Sequence, residues 1–338
     1  MTEIKDTNEG GVVDKYGKST MYGKTNTEDF SHMEGSEDHN VNLLYTWDKN
    51  RKLTGIIINL ACPSQVSETE YLISADYWHD TRVLVRKKLG KDVYILPQCS
   101  SAGDQSPYIL VEKKAEERMQ RLMETDSLQT GKGIWRRKQI AMSISDAVTS
   151  VLPYMRDTID WAPNFTHRME KVELTRRLID IEDVNNALKE AGGWKTQYDN
   201  LLSEIIESPG IKDKTRWYTD ISKAYSLMKR GQSVKQRFEL EKTERKIPVE
   251  IHVLQIGGIV IATNPFELYL DYGIRIKGRS PAVQTFLVQL AGCGSYVPTF
   301  RSVAGGGYGA VPTSTLIGPQ GGDEIVEKTL ELIDSVWK

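Results

Sequence analysis

Apolar positions along the chain switch period three times, and those switches outline the molecule. Residues 41–48 alternate, Val-Asn-Leu-Leu-Tyr-Thr-Trp, as a half-buried strand does. After the turn Asn50-Arg-Lys, residues 53–61 are almost wholly apolar, which predicts a hairpin whose second strand is central. A further step runs through Leu72-Ile-Ser-Ala-Asp, a helix over 77–89 and a strand over 92–96. From about 110 to 240 the period becomes helical: 111–123, 134–155 with Pro153 marking its end, 181–206 and 217–240, with Ser208-Pro-Gly between the last two. The last third returns to strands at 249–256 and 259–263, turning at Gly257-Gly258, and at 285–291. Asn264 and Pro265 read as the cap and first position of a helix with Glu267 in its first turn, and 323–337 reads as a closing amphipathic helix.

Alternating strands and helices predict an α/β fold, a mixed β-sheet core layered with helices. We read 1–40 as an irregular or partly paired N-terminal segment, 41–338 as one α/β domain, and 110–240 within it as a helical layer or insertion. Its charge runs read as solvated faces.

Composition narrows the function. With 44 Lys and Arg against 46 Asp and Glu, the chain carries no basic footprint for nucleic acid. Cys62, Cys99 and Cys293 form no C-x-x-C pair, and their odd number argues against a disulfide framework. No apolar run approaches the roughly 20 residues that span a bilayer. The first 40 residues lack the apolar stretch of a signal peptide, so the expectation is a cytoplasmic protein or a Met1 that is not the natural start. His32 and His39 lie near carboxylates and read as solvated loop histidines or, less simply, as metal ligands.

One stretch stands out for chemistry. The apolar run at 93–96 empties into Gln98-Cys-Ser-Ser-Ala-Gly-Asp-Gln-Ser-Pro107, a turn able to hold a hydroxyl still and exposed ahead of the next helix. Ser106 is the candidate nucleophile, and the alternative is an ordinary strand-to-helix turn. Glu267, at the end of a strand, sits where sites of open α/β sheets collect; alternatively it complements a helix dipole. The Gly305-Gly-Gly run has no helix start behind it and does not read as a nucleotide loop.

Together, Asn59-Leu-Ala-Cys-Pro-Ser, Ile73-Ser-Ala-Asp76, Ala102-Gly-Asp-Gln-Ser-Pro107, Pro265-Phe-Glu267, and Tyr296-Val-Pro-Thr with Tyr308 resemble the catalytic domain of neutral, non-lysosomal ceramidases over roughly 40–110 and 245–320. The resemblance implies a zinc-dependent amidohydrolase that cleaves the N-acyl bond of ceramide or a related lipid. It implies Ser106 as nucleophile with Asp104 beside it, Glu267 and Tyr296 as zinc ligands, and Tyr308 as donor to the oxyanion. It also implies that Ser106 faces a cleft shared with Glu267, Tyr296 and Tyr308.

The departures are specific. One zinc-binding His of the family has no counterpart, and the other falls at Cys62, which either ligates as a thiolate or is a small buried residue. The family's upstream Arg has no match; Asn8-Glu9-Gly10 offers an acid instead. His79, after Asp76, reads as a helix-end histidine or a local substitute. The readings are therefore a metal-assisted amide hydrolase, a relative that binds lipid or glycan without turnover, or a hydrolase of another substrate. Oligomeric state is not legible.

Overall fold

The structure, a computed structural model, describes residues 2–3, 8–9, 11–68, 70, 73–123 and 133–337. Of the two readings of the N-terminal segment, irregular or partly paired, the structure shows the second. After β1 (Thr2–Glu3) and β2 (Asn8–Glu9), the strands β3 (Gly11–Asp14), β4 (Ser19–Met21) and β5 (Phe30–Met33) form a small antiparallel sheet with β3 central. Val12 and Val13 are its buried apolar residues, and their short run between polar turns explains why no strand period is visible.

The first main sheet has the order β1-β6-β7-β8, from β6 (Asn40–Trp47), β7 (Leu53–Leu60) and β8 (Tyr94–Cys99). The predicted hairpin is there. β8 then pairs parallel with β7, Gly55 opposite Tyr94 through Leu60 opposite Cys99, after the crossover helix α1 (Tyr77–Leu89). Residues 73–75, expected as a strand, form none; 71 and 72 lie outside the described residues. Instead Asp76 holds the chain, accepting the Ser67 and Tyr77 N–H groups at 2.8 Å each. α1 and α3 (Ile134–Met155) cover this sheet around Ile56, Ile58, Leu60, Ile140 and Ile144. Between them lie β9 (Gln105–Ser106) and α2 (Lys113–Met123), and α3 runs through Pro153.

The middle third is not helical throughout. β10 (Phe165–Thr175) interrupts it, ahead of the long hairpin α4 (Ile181–Glu207) and α5 (Thr219–Glu241). In β10 only Val172 and Leu174 are buried, and Arg168, Glu170, Lys171 and Glu173 put charge along it, so its pattern imitates a solvated surface. It pairs along its full length with β11 (Lys246–Ile256). The second sheet has the order β10-β11-β12-β14, with β12 (Ile259–Thr263) and β14 (Gln284–Val288) parallel. β13 (Glu267–Leu268) and α6 (Leu270–Arg279) connect them. Then β15 (Tyr296–Val297), α7 (Phe300–Gly305) and α8 (Pro319–Val336) complete the chain.

The two sheets meet at β14. The Asn59 amide of β7 donates to Leu287 O at 2.6 Å, and Gln284 bonds both the N–H and the C=O of Leu43. Gln289 N donates to Cys99 O at 3.1 Å. The candidate residues cluster beside this seam.

Candidate active site

Glu267 does not begin a helix. Asn264 Oδ1 accepts the Phe266 N–H at 3.0 Å, closing a side-chain turn, and Glu267 follows on β13, paired with Tyr296 of β15. α6 starts only at Leu270, and its first N–H goes to Asp104 Oδ1 at 2.8 Å. Gly103 N donates to Leu268 O at 2.9 Å. The Ser106 loop is thereby bonded to the Glu267 strand, although the two lie far apart in sequence. Gln289 reinforces the join: its Oε1 accepts Ala102 N at 3.0 Å and Leu268 N at 3.2 Å.

Around this join Glu267, Tyr296 and Tyr308 lie together, and Tyr22 links Ser106 to them; the buried Ser106 does not itself face the shared cleft that the resemblance implied. Tyr296 donates a hydrogen bond to Glu267, and its ring meets the Tyr308 ring edge-on at 5.9 Å. Burial pushes the Glu267 carboxyl above its ordinary value, partly offset by the Tyr296 hydrogen bond. Burial first, and the Glu267 charge second, push the Tyr296 phenol up.

Ser106 is placed differently from the expectation of an exposed hydroxyl. It lies on β9, whose partner is β2, with Asn8 opposite Ser106. It is fully buried. Its Oγ accepts the Tyr108 N–H at 3.1 Å and is hydrogen-bonded to Tyr22, which in turn feels the Glu267 charge. Tyr22 has φ of 54° and packs edge-on against Tyr108 at 5.7 Å. The Glu9 side chain and Gly10, at the place of the family's Arg, lie outside the described residues.

Asp104 faces the start of α6 rather than Ser106. It lines a cavity of about 20 Å³, near the size of one water, with Tyr22, Glu34, Tyr269 and Tyr308. Desolvation pushes its carboxyl up to about 7, against the pull of the Leu270 N–H.

The zinc donors do not assemble. Cys62 is completely buried in the apolar core beside Leu60, Val66 and Tyr77, and its carbonyl accepts the Tyr77 hydroxyl at 2.7 Å. Among the described residues, no group of three or more His, Cys, Asp or Glu is placed to hold a metal. Glu267 and Tyr296 supply two donors, against the three protein ligands of a catalytic zinc, so the residues present do not fit that centre. His79 is exposed in the first turn of α1, His32 bonds Ser31, and His39 pairs with Glu37 at 3.3 Å.

Three participants carry no sequence signal. Arg230, from the helical region without a motif, donates to the Tyr308 hydroxyl at 3.2 Å and to Ser314 Oγ at 2.9 Å. Tyr22 lies in the segment read as irregular or partly paired. Glu34 is buried and accepts from Ser19, with no partner for Oε1 among the described residues.

No family model and no curated protein matches the chain. Among solved structures, it is similar to neutral ceramidase from Pseudomonas aeruginosa, at 13% identity and a TM-score of 0.56, over 98% of this chain and 51% of that one. It is also similar to a ceramidase complexed with C2, at 12% identity and a TM-score of 0.56, over 98% of this chain and 53% of that one. The chain thus spans about half the length of the structures it matches. The likeness is one of fold, and a mixed α/β, ceramidase-like fold is what this chain has.

Proposed function

We propose that the chain is a ceramidase-like hydrolase of an N-acyl amide, working where Glu267, Tyr296 and Tyr308 meet and Tyr22 links Ser106 to them. That convergence across more than half the chain carries the reading, because an ordinary turn serine requires none of it. In this reading a substrate displaces Tyr22. Ser106 Oγ adds to the carbonyl carbon while Glu267, its carboxyl raised by burial, takes the serine proton. Tyr308 donates to the oxygen where charge gathers. The proton then passes to the leaving nitrogen as the C–N bond breaks, and water releases the acid from the serine. The acyl lipid as substrate rests on the ceramidase-like fold alone.

A second reading has its own observation, the enclosed Ser106 hydroxyl: a ceramidase-like domain that binds an amide without turnover. Fatty-acid release from short N-acyl amides separates the two. The hydrolase reading expects turnover by the native chain or by Tyr22→Ala, abolished by adding Ser106→Ala with the melting temperature kept. Binding with no turnover in either background establishes the second reading, and turnover surviving Ser106→Ala moves the nucleophile elsewhere.

A further inference from the structure

A second group of side chains, outside this site, brings two histidines nitrogen to nitrogen. His167 on β10 and His252 on β11 face each other on the outer side of the second sheet, with His167 Nε2 at 3.0 Å from His252 Nδ1. The rings are parallel to within 2°, with centroids 5.2 Å apart. Two imidazoles whose facing nitrogens are that close can have centroids that far apart only when they lie edge to edge, nearly in one plane. The lone pair of each nitrogen lies in the ring plane, so both are aimed into the gap.

Glu250 sets the protons. Its Oε1 lies 2.8 Å from His252 Nε2, and an ionised carboxylate can only accept, so Nε2 carries the hydrogen. Neutral His252 therefore presents a bare Nδ1 to its neighbour, and His167 fills the gap with its Nε2 proton. A carboxylate on the far nitrogen of a histidine is the arrangement that orients metal-binding imidazoles and raises their basicity.

We infer that His167 and His252 form a binding site for a divalent transition-metal ion, with Glu250 positioning His252. Two bonds of about 2.0–2.1 Å at a tetrahedral angle need nitrogens about 3.3 Å apart, a few tenths of an ångström more than the gap. His167 is exposed and His252 half-buried at the surface, so the rings can move that far. On binding, the His167 proton passes from Nε2 to Nδ1, and both facing nitrogens become ligands. No third His, Cys, Asp or Glu completes the set among the described residues, so water holds the remaining positions. They open beside a cavity of about 360 Å³ lined by Glu250, His252, Pro265, Phe266 and Cys293. Imidazole donors favour copper, nickel and zinc, with copper bound most tightly.

Titrating the full chain with Cu²⁺, Ni²⁺ and Zn²⁺ by calorimetry tests this. One equivalent is expected, tightest for Cu²⁺. It should be lost in His167→Ala and in His252→Ala, and weakened about tenfold or more in Glu250→Gln. Electron paramagnetic resonance of the Cu²⁺ form should show two nitrogen ligands. The equivalent should persist in Glu267→Gln and in the His32→Ala/His39→Ala double variant. Retention when both His167 and His252 are replaced, or loss in Glu267→Gln, overturns the assignment by placing the ion elsewhere. No bound equivalent in the native chain overturns it outright. Circular dichroism checks that each variant is folded, and His167→Ala, at an exposed position, decides if His252→Ala is not.

Discussion

Arg230 shows how a single contact fixes the direction of a proton. A guanidinium can only donate, so the Tyr308 hydroxyl accepts from it and turns its own hydrogen away, free to donate to a substrate. Arg230→Met should therefore lower kcat for amide hydrolysis with little change in KM, and Arg230→Lys should restore part of it; equal effects on the melting temperature and on kcat would reduce Arg230 to a packing residue. Asp104 carries a second residue-scale consequence. Its carboxyl is raised in the folded chain from an ordinary 3.8 to about 7, so the folded state holds its proton more tightly than the unfolded one. Stability must then fall as pH rises through that window, and the cost, on the order of 4 kcal/mol for three pKa units, is fully present above it. Asn at this position keeps an oxygen for Leu270 N–H and removes the charge. Asp104→Asn should match the native chain in urea unfolding at pH 4 and exceed it at pH 8. A less stable variant at pH 8 would show that the carboxylate is worth its desolvation.

At the scale of elements, β13 separates what the sequence period can say from what it cannot. Long elements with a clean pattern were legible: the β6–β7 and β11–β12 hairpins, α1, α4 and α8 stand close to their predicted bounds. Asn264-Pro265-Phe266 carries every local mark of a helix start, yet Glu267 enters a two-residue strand because β15 and the Gly103 loop pair with it from both sides. Such pairing is invisible to a local pattern, as is β10, whose apolar positions are diluted by charge. Two glycines make the strand possible. A Cβ on Gly103 would meet Glu267 O at 2.4 Å, and one on Gly294 would meet Pro265 O at 2.1 Å. Both contacts are with backbone, which cannot rotate aside. Gly103→Ala and Gly294→Ala should each cost about 1–3 kcal/mol and depress amide turnover. Gly278→Ala on α6, where a Cβ meets nothing within 4 Å, should be neutral or stabilising. Equal melting temperatures for all three would show that β13 is free to shift.

At the scale of the molecule, the chain closes two sheets, each with its own helices and core, against one seam, and the candidate site straddles it. The family-like strings were legible one by one, but what joins them was not. The linking side chain is Gln289, the residue directly after β14 and marked by no motif. Buried at 6% exposure, it accepts one N–H from the loop before Ser106 and another from β13, and its amide nitrogen reaches Cys99 Sγ at 3.5 Å. Replacing it by Leu fills much of its volume and leaves the Ala102 and Leu268 N–H groups buried without an acceptor, at about 1–3 kcal/mol each. Because one oxygen serves both, the two segments should loosen together. In native-state hydrogen exchange, Gln289→Leu should lower the protection of both Ala102 and Leu268, while Ile58 in β7 falls only by the global loss of stability. If Leu268 alone loses protection, the Ser106 loop is held independently, and the two halves of the site are not coupled through Gln289.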